Sequence, residues 1–78
     1  MERLQKYGFN YNYFPPICKP KALTVVFHEH GGNPDDWNER AVQLQEYIQD
    51  MAVVLLRAPH EVKGYEREDG LKRYEWTK

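Results

Sequence analysis

Between Tyr7 and Tyr13 the chain alternates rings with small or polar residues: Tyr7, Phe9, Tyr11 and Tyr13 are separated by Gly8, Asn10 and Asn12. A period of two places the aromatic side chains on one face of an extended segment and predicts a half-buried strand. Pro15-Pro16 ends it, since neither ring offers an N–H to a ladder, and Lys19-Pro20-Lys21 continues as a loop. Leu23 to His28 is β-branched and aromatic without alternation, which predicts a strand covered on both faces, and Ala52 to Arg57 repeats that character. Between the two, Trp37, Ala41, Leu44, Ile48 and Met51 recur at helical spacing and draw an apolar stripe, with Trp37, Leu44 and Ile48 as the expected core side. Asn33 is suited to cap that helix, Pro34 to its first position, and Asp35 and Asp36 to the positive end of its dipole.

A strand, an amphipathic helix and a second strand within some 35 residues form a βαβ unit with parallel strands and a right-handed crossover. The expected fold class is α/β: an antiparallel N-terminal strand plus one parallel βαβ unit. The chain then divides into a strand and loop over 1–22, a βαβ core over 23–60, and an extension over 61–78. That extension holds five acidic and five basic residues with Tyr65, Tyr74 and Trp76 interspersed, and reads as solvated. In open sheets of this class ligands collect at the carboxyl ends of the strands, so the segments after Phe27 and Leu56 are where chemistry is sought.

Charge and length remove several classes of function. Eleven Lys and Arg against twelve Asp and Glu give a net charge of −1, which provides no electrostatic drive toward nucleic acid. Met51 to Leu56 is the longest apolar run, far below the ~20 residues of a membrane-spanning helix. Met1 to Lys6 is too polar for a signal peptide, and the single Cys18 has no internal disulfide partner, so a cytoplasmic, reducing setting is expected. At 78 residues the fold has little margin, because a chain this short buries only about 60% of the surface its unfolded form exposes.

The first buried strand runs into His28-Glu29-His30-Gly31-Gly32-Asn33-Pro34-Asp35-Asp36-Trp37. In that stretch the chain resembles the N-terminal part of the phospholipase/carboxylesterase family of α/β-hydrolases, which includes acyl-protein thioesterases. Their third strand is followed by a His-Gly-x-Gly loop that opens the first major helix. Arg57-Ala58-Pro59-His60 is similar to the family's exit from its fourth strand, and Tyr74-Glu75-Trp76 to an aromatic segment beyond it. The resemblance covers most of the chain from about Leu23 onward. It implies an incomplete α/β-hydrolase sheet and an oxyanion-type loop of His28, Glu29, His30, Gly31 and Gly32, with the backbone N–H of His30 as donor to the oxygen that becomes negative in a tetrahedral intermediate. Glu29 stands where the family carries glycine, adding a Cβ and a negative charge at that place.

The resemblance also implies ester or thioester hydrolysis through an acyl-enzyme, with no metal or organic cofactor. The family's nucleophile sits on a Gly-x-Ser-x-Gly elbow after a later strand. These 78 residues contain no serine and no such elbow, so the Ser/His/Asp arrangement cannot be assembled from them and the expectation is an inactive N-terminal fragment. The family's strand order would set Leu23 to His28 between Ala52 to Arg57 and the nucleophile strand. Without that neighbour, Val25 and Phe27 lie on an open edge fit for self-association or for pairing with another chain.

Two further readings come from the residues alone. One is a small stand-alone interaction module using that edge and the charged extension. The other is a metal-binding domain using His28, His30 and His60, with an oxygen from Glu29, Asp35 or Asp36. Cys18 lies at the opposite end of the strands and is expected to be an inert thiol; Arg57 is expected as a strand-end ion-pair partner and His60 as a loop residue.

Overall fold

The computed structural model describes residues 1–64 and 67–77. Strand β1 (Glu2–Lys6) and β2 (Phe9–Phe14) form an antiparallel hairpin, β3 (Ala22–Phe27) follows the proline loop, and a 3-10 turn (Pro34–Trp37) leads into helix α1 (Asn38–Tyr47). Strand β4 (Met51–Leu56) completes a four-stranded mixed sheet of order β1-β2-β4-β3, and β5 (His60–Val62) pairs with β6 (Arg73–Glu75) in a separate small hairpin. Strands β3 and β4 are parallel, with Val25 beside Val54, while β2 runs antiparallel to β4, with Tyr13 beside Val54. The fold is mixed α/β with one parallel βαβ unit, as the hydrophobic pattern implies.

The N-terminal strand is not single. Glu2 to Lys6 carries too little apolar alternation to announce itself, and all five residues are exposed. It is held by a two-residue turn in which Tyr7 and Gly8 both take positive φ (54° and 80°), the combination that matches the twist of paired strands. Tyr7 therefore leaves the aromatic stripe, 89% exposed at the tip, and Phe9, Tyr11 and Tyr13 remain.

The helix begins as the sequence indicates and packs differently. The Asn33 side chain accepts from Asp35 N–H at 2.9 Å and Asp36 accepts from Asn33 N–H at 3.2 Å, a reciprocal capping box with Pro34 at its start. Leu44 and Ile48 are exposed; the buried positions of α1 are Ala41 and Gln45, with the half-buried Trp37 before them. Gln45 displaces an apolar residue because the ends of β2 and β4 bring carbonyls under the helix. Its Nε2 donates to the carbonyls of Phe14, Pro15 and Met51, each at 3.0 Å.

The core lies on one side of the sheet, where Phe14, Met51, Val53 and Leu55 meet Ala41, with Val26 and Trp37 packed against them. No helix covers the opposite side among the described residues. Phe9, Tyr11, Tyr13, Leu23, Val25, Val54 and Leu56 instead line an open apolar hollow of about 710 Å³. The expectation that β3 is covered on both faces is thus overturned: its odd-numbered residues are exposed, Leu23 to 62% and Phe27 to 63%. Among the described residues no helix is long and apolar enough to cross a membrane.

The segment beyond Arg57 is structured rather than a solvated extension. Tyr74 is buried, and β6 is bonded to the loop after β3 through Gly31 N–H to Tyr74 O and Tyr74 N–H to Gly32 O, both at 2.8 Å. Tyr65 and Lys78 lie outside the described residues.

Candidate functional site

The loop after β3 is shaped by His28, which is 97% removed from solvent, as its 3% exposure shows. Its Nε2 accepts from the N–H of Ala58 at 3.0 Å, so Nε2 carries no proton and the ring proton sits on Nδ1, which lies 2.8 Å from Glu29 O. The imidazole thereby ties the carboxyl end of β3 to the carboxyl end of β4. Trp76 closes over it, with ring centroids 5.0 Å apart and its Nε1 donating to His28 O at 2.8 Å. Phe27 meets the same indole edge-on at 5.4 Å.

Beyond His28 the chain turns back sharply. Gly31 takes φ 77°, and the N–H of Gly32 donates to Glu29 O at 2.9 Å. At Gly32 a Cβ would meet Glu29 O at 3.0 Å and His28 Nδ1 at 3.3 Å, so the absent side chain is what allows the close approach. Glu29 has no positive φ, so its Cβ brings no backbone strain, and its carbonyl is the acceptor that closes the turn. Of the loop's donors, Gly31 and Gly32 are committed, whereas the N–H groups of Glu29 and His30 have no hydrogen-bond partner among the described residues.

His30, Gly31 and Gly32 border a shallow cleft of about 640 Å³ with Glu29, Arg40 and Arg73. Its charges are partly spent. Arg67 makes two bonds to Asp36, at 2.8 and 2.7 Å, and another to Asp69 at 2.6 Å. The Arg67 guanidinium holds the Asp36 carboxyl below the usual carboxylate range, against a smaller opposing effect of burial. Arg40 stacks on Trp37, and Arg73 Nε is buried without a partner among the described residues. The His30 imidazole is turned aside toward Glu75, 3.2 Å from its carboxylate.

The structure brings His28, Glu29, His30, Gly31 and Gly32 into one tight turn at the carboxyl end of the parallel pair. It does not gather His28, His30 and His60 for a metal. Both nitrogens of His28 are engaged with main-chain groups, His30 faces Glu75, and His60 lies in β5. No three His, Cys, Asp or Glu side chains among the described residues are placed to hold a metal ion. Asp35 binds the hairpin instead, through Asn12 at 2.7 Å and Arg3 at 3.2 Å. Cys18 is a free, exposed thiol beside Gln49, away from the cleft.

Arg57 departs from its expected role. Rather than meeting a carboxylate, its guanidinium lies over the Tyr74 ring at 4.6 Å and reaches the phenol oxygen at 3.3 Å. Ala58, Tyr74 and Trp76 are the site-shaping residues that residue-by-residue reading passes over. The available signal was the likeness of Tyr74-Glu75-Trp76 to an aromatic segment of the resembled family.

No protein-family profile matches this chain, and no curated protein and no solved structure matches it.

Proposed function

We propose that the loop from His28 to Gly32 is the oxyanion-binding side of an ester or thioester hydrolase site of the phospholipase/carboxylesterase kind, its nucleophile contributed by segments other than these 78 residues. The observation that carries this reading is the N–H of His30, which has no hydrogen-bond partner among the described residues, in a tight glycine turn that borders a cleft at the carboxyl ends of β3 and β4. A fixed N–H in that place suits charge that develops on an acyl oxygen, because it needs no reorganisation when the charge appears. The sheet order supports the reading as well. Strand β3 has β4 on one side and no partner among the described residues on the other, where the resemblance sets the nucleophile strand.

In this reading a serine on the elbow after the neighbouring strand gives its proton to the histidine of the same added segments, which passes it to the leaving group, and attacks the acyl carbonyl. The carbonyl oxygen takes the negative charge and accepts from His30 N–H and from a second N–H beside the nucleophile. Collapse expels the alcohol or thiol, and water releases the acid. The chain by itself performs no turnover.

Co-expression with a chain carrying the Gly-x-Ser-x-Gly, Asp and His segments of a phospholipase/carboxylesterase tests this, read by hydrolysis of a p-nitrophenyl ester and by fluorophosphonate labelling. Neither chain alone is expected to act, and the pair is. Within the active pair His30→Ala, which keeps the N–H, retains most of the rate. His30→Pro removes the N–H and lowers kcat by about 100-fold, the scale of one lost oxyanion donor. A bound but inactive pair, or a folded His30→Ala that loses activity as severely as His30→Pro, overturns the proposal.

A second reading, a small interaction module, is favoured by a different observation: the uncovered apolar side of the sheet and the open edge of β3.

A further inference from the structure

The two edges of the sheet are built differently. Strand β1 carries Glu2, Arg3 and Lys6, charges of the kind that discourage edge-to-edge pairing, whereas Ala22 to Phe27 has no charge and no proline. The free hydrogen-bonding groups of β3 follow from the ladder. Arg57 N–H donates to Asn10 O at 2.9 Å, so odd-numbered residues of β4 address β2 and even-numbered ones address β3. With Ala22 beside Met51 in a parallel pair, it is Ala22, Thr24 and Val26 that bond to β4. Leu23, Val25 and Phe27 therefore aim both N–H and C=O at the open edge, and their side chains stand on the uncovered side of the sheet.

We infer that this edge pairs with the same edge of a second copy, antiparallel about a two-fold axis at Val25. This register sets Val25 opposite Val25 of the second copy, and Leu23 and Phe27 opposite each other, so all three outward residues exchange their N–H and C=O groups in full. Two residues further on, just beyond either end of β3, it sets the exposed Lys21 opposite the exposed Glu29. Sliding by two residues either way breaks the match, bringing Lys21 against Phe27 or Glu29 against Leu23. The apolar pairs and the charge pair thus select one alignment, and that alignment is self-complementary, as a two-fold interface requires. The outcome is a continuous eight-stranded sheet with the charged β1 at both ends.

The exposed parts of Leu23, Val25 and Phe27 amount to about 300 Å² per copy, which places the contact among small, reversible interfaces of under ~1,200 Å² in total. The dimer uses the β3 edge that the proposed function gives to a nucleophile strand, so the two are alternatives at that edge and the inference concerns these 78 residues without such a strand.

Sedimentation velocity of the full chain over about 1 to 500 µM tests it, with hydrogen exchange measured across the same series. A monomer–dimer equilibrium is expected, with protection of the Leu23, Val25 and Phe27 amides rising as dimer forms. Val25→Lys sets like charges face to face on the axis and yields monomer. Lys21→Glu weakens the dimer by at least about fivefold, and adding Glu29→Lys restores it to within about twofold, a rescue that only this register gives. A chain that stays monomeric throughout overturns the inference and leaves the edge for a different protein. So does a dimer indifferent to Lys21→Glu, or one that Glu29→Lys fails to rescue; the charge-swapped pair keeps the test decisive should Val25→Lys not fold.

Discussion

Replacing His28 by phenylalanine isolates the hydrogen bonds that the imidazole makes from the space it fills. The ring stays beside Trp76 and both nitrogens go. Glu29 O keeps its bond from Gly32 N–H, so one group is orphaned: the N–H of Ala58, in a residue that is 1% exposed. A buried donor left without a partner costs about 1–3 kcal/mol, a large share of the roughly 4–12 kcal/mol total for a domain of this length. With a urea m-value near 1 kcal/mol/M for so small a chain, the unfolding midpoint should fall by about 1–3 M. Far-UV circular dichroism is the suitable readout, because Trp76 fluorescence changes with the neighbouring ring whatever the stability does. His28→Gln, whose amide oxygen reaches toward the same N–H, should recover part of the loss. A midpoint for His28→Phe within about 0.3 M of the parent, with an unchanged m-value, would refute the assignment of Nε2 as an obligatory acceptor.

Other substitutions probe the rest of the frame. Gly32→Ala should destabilise by about 1–2 kcal/mol in thermal or urea unfolding, because its Cβ is pressed against Glu29 O at 3.0 Å. Gln45→Leu should cost about 1–3 kcal/mol through carbonyls left unpaired, and Gln45→Glu should cost more at pH 7 by setting a charge against them, the difference shrinking in acid. Asp36 is held below its ordinary value of 3.8 chiefly by the Arg67 bonds, so its contribution is present above that value and is lost as pH falls through the lower folded value. Arg67→Gln should remove this contribution, under about 1 kcal/mol at so exposed a pair, and acid titrations of the two proteins should converge at low pH.

The parts of the fold legible from sequence were those with a local physical signature. Asn33, Pro34 and Asp36 announce the capped turn because a helix start has four unpaired N–H groups to satisfy and few residue types that do so. Leu23 to Phe27 and Met51 to Leu56 announce strands through their branched and aromatic side chains. The same strands misled on coverage, because an apolar run records what a strand is suited to pack against and not what is present to pack on it. Leu44 and Ile48 misled similarly: their spacing fits a stripe, yet the carbonyls of Phe14, Pro15 and Met51 drew Gln45 inward. Strand β1 was silent, since an edge strand kept soluble by charge has no period to detect.

At the site, the residues of the turn were readable and their fastening was not. His28 to Gly32 stand out as a motif, but the partners of His28 come from Ala58, 30 residues away, and from Trp76, 48 residues away. No periodicity encodes such pairings. Glu29 shows the converse, a departure from the resembled family's pattern that the backbone accommodates because the left-handed position belongs to Gly31.

The fastening of the loop by β6 also sets an order of events during synthesis. Strands β1 to β4 and the helix are complete once Leu56 has left the ribosome, whereas the turn at Gly31 and Gly32 waits for Tyr74, and His28 for the indole of Trp76. At about 5–20 residues per second, the sheet exists for a second or more with its loop unclamped and the β3 edge bare. In that interval the nascent protein is a four-stranded template with one unguarded side, and whichever strand reaches it first, from a sister chain or from elsewhere, meets it before the cleft has taken shape.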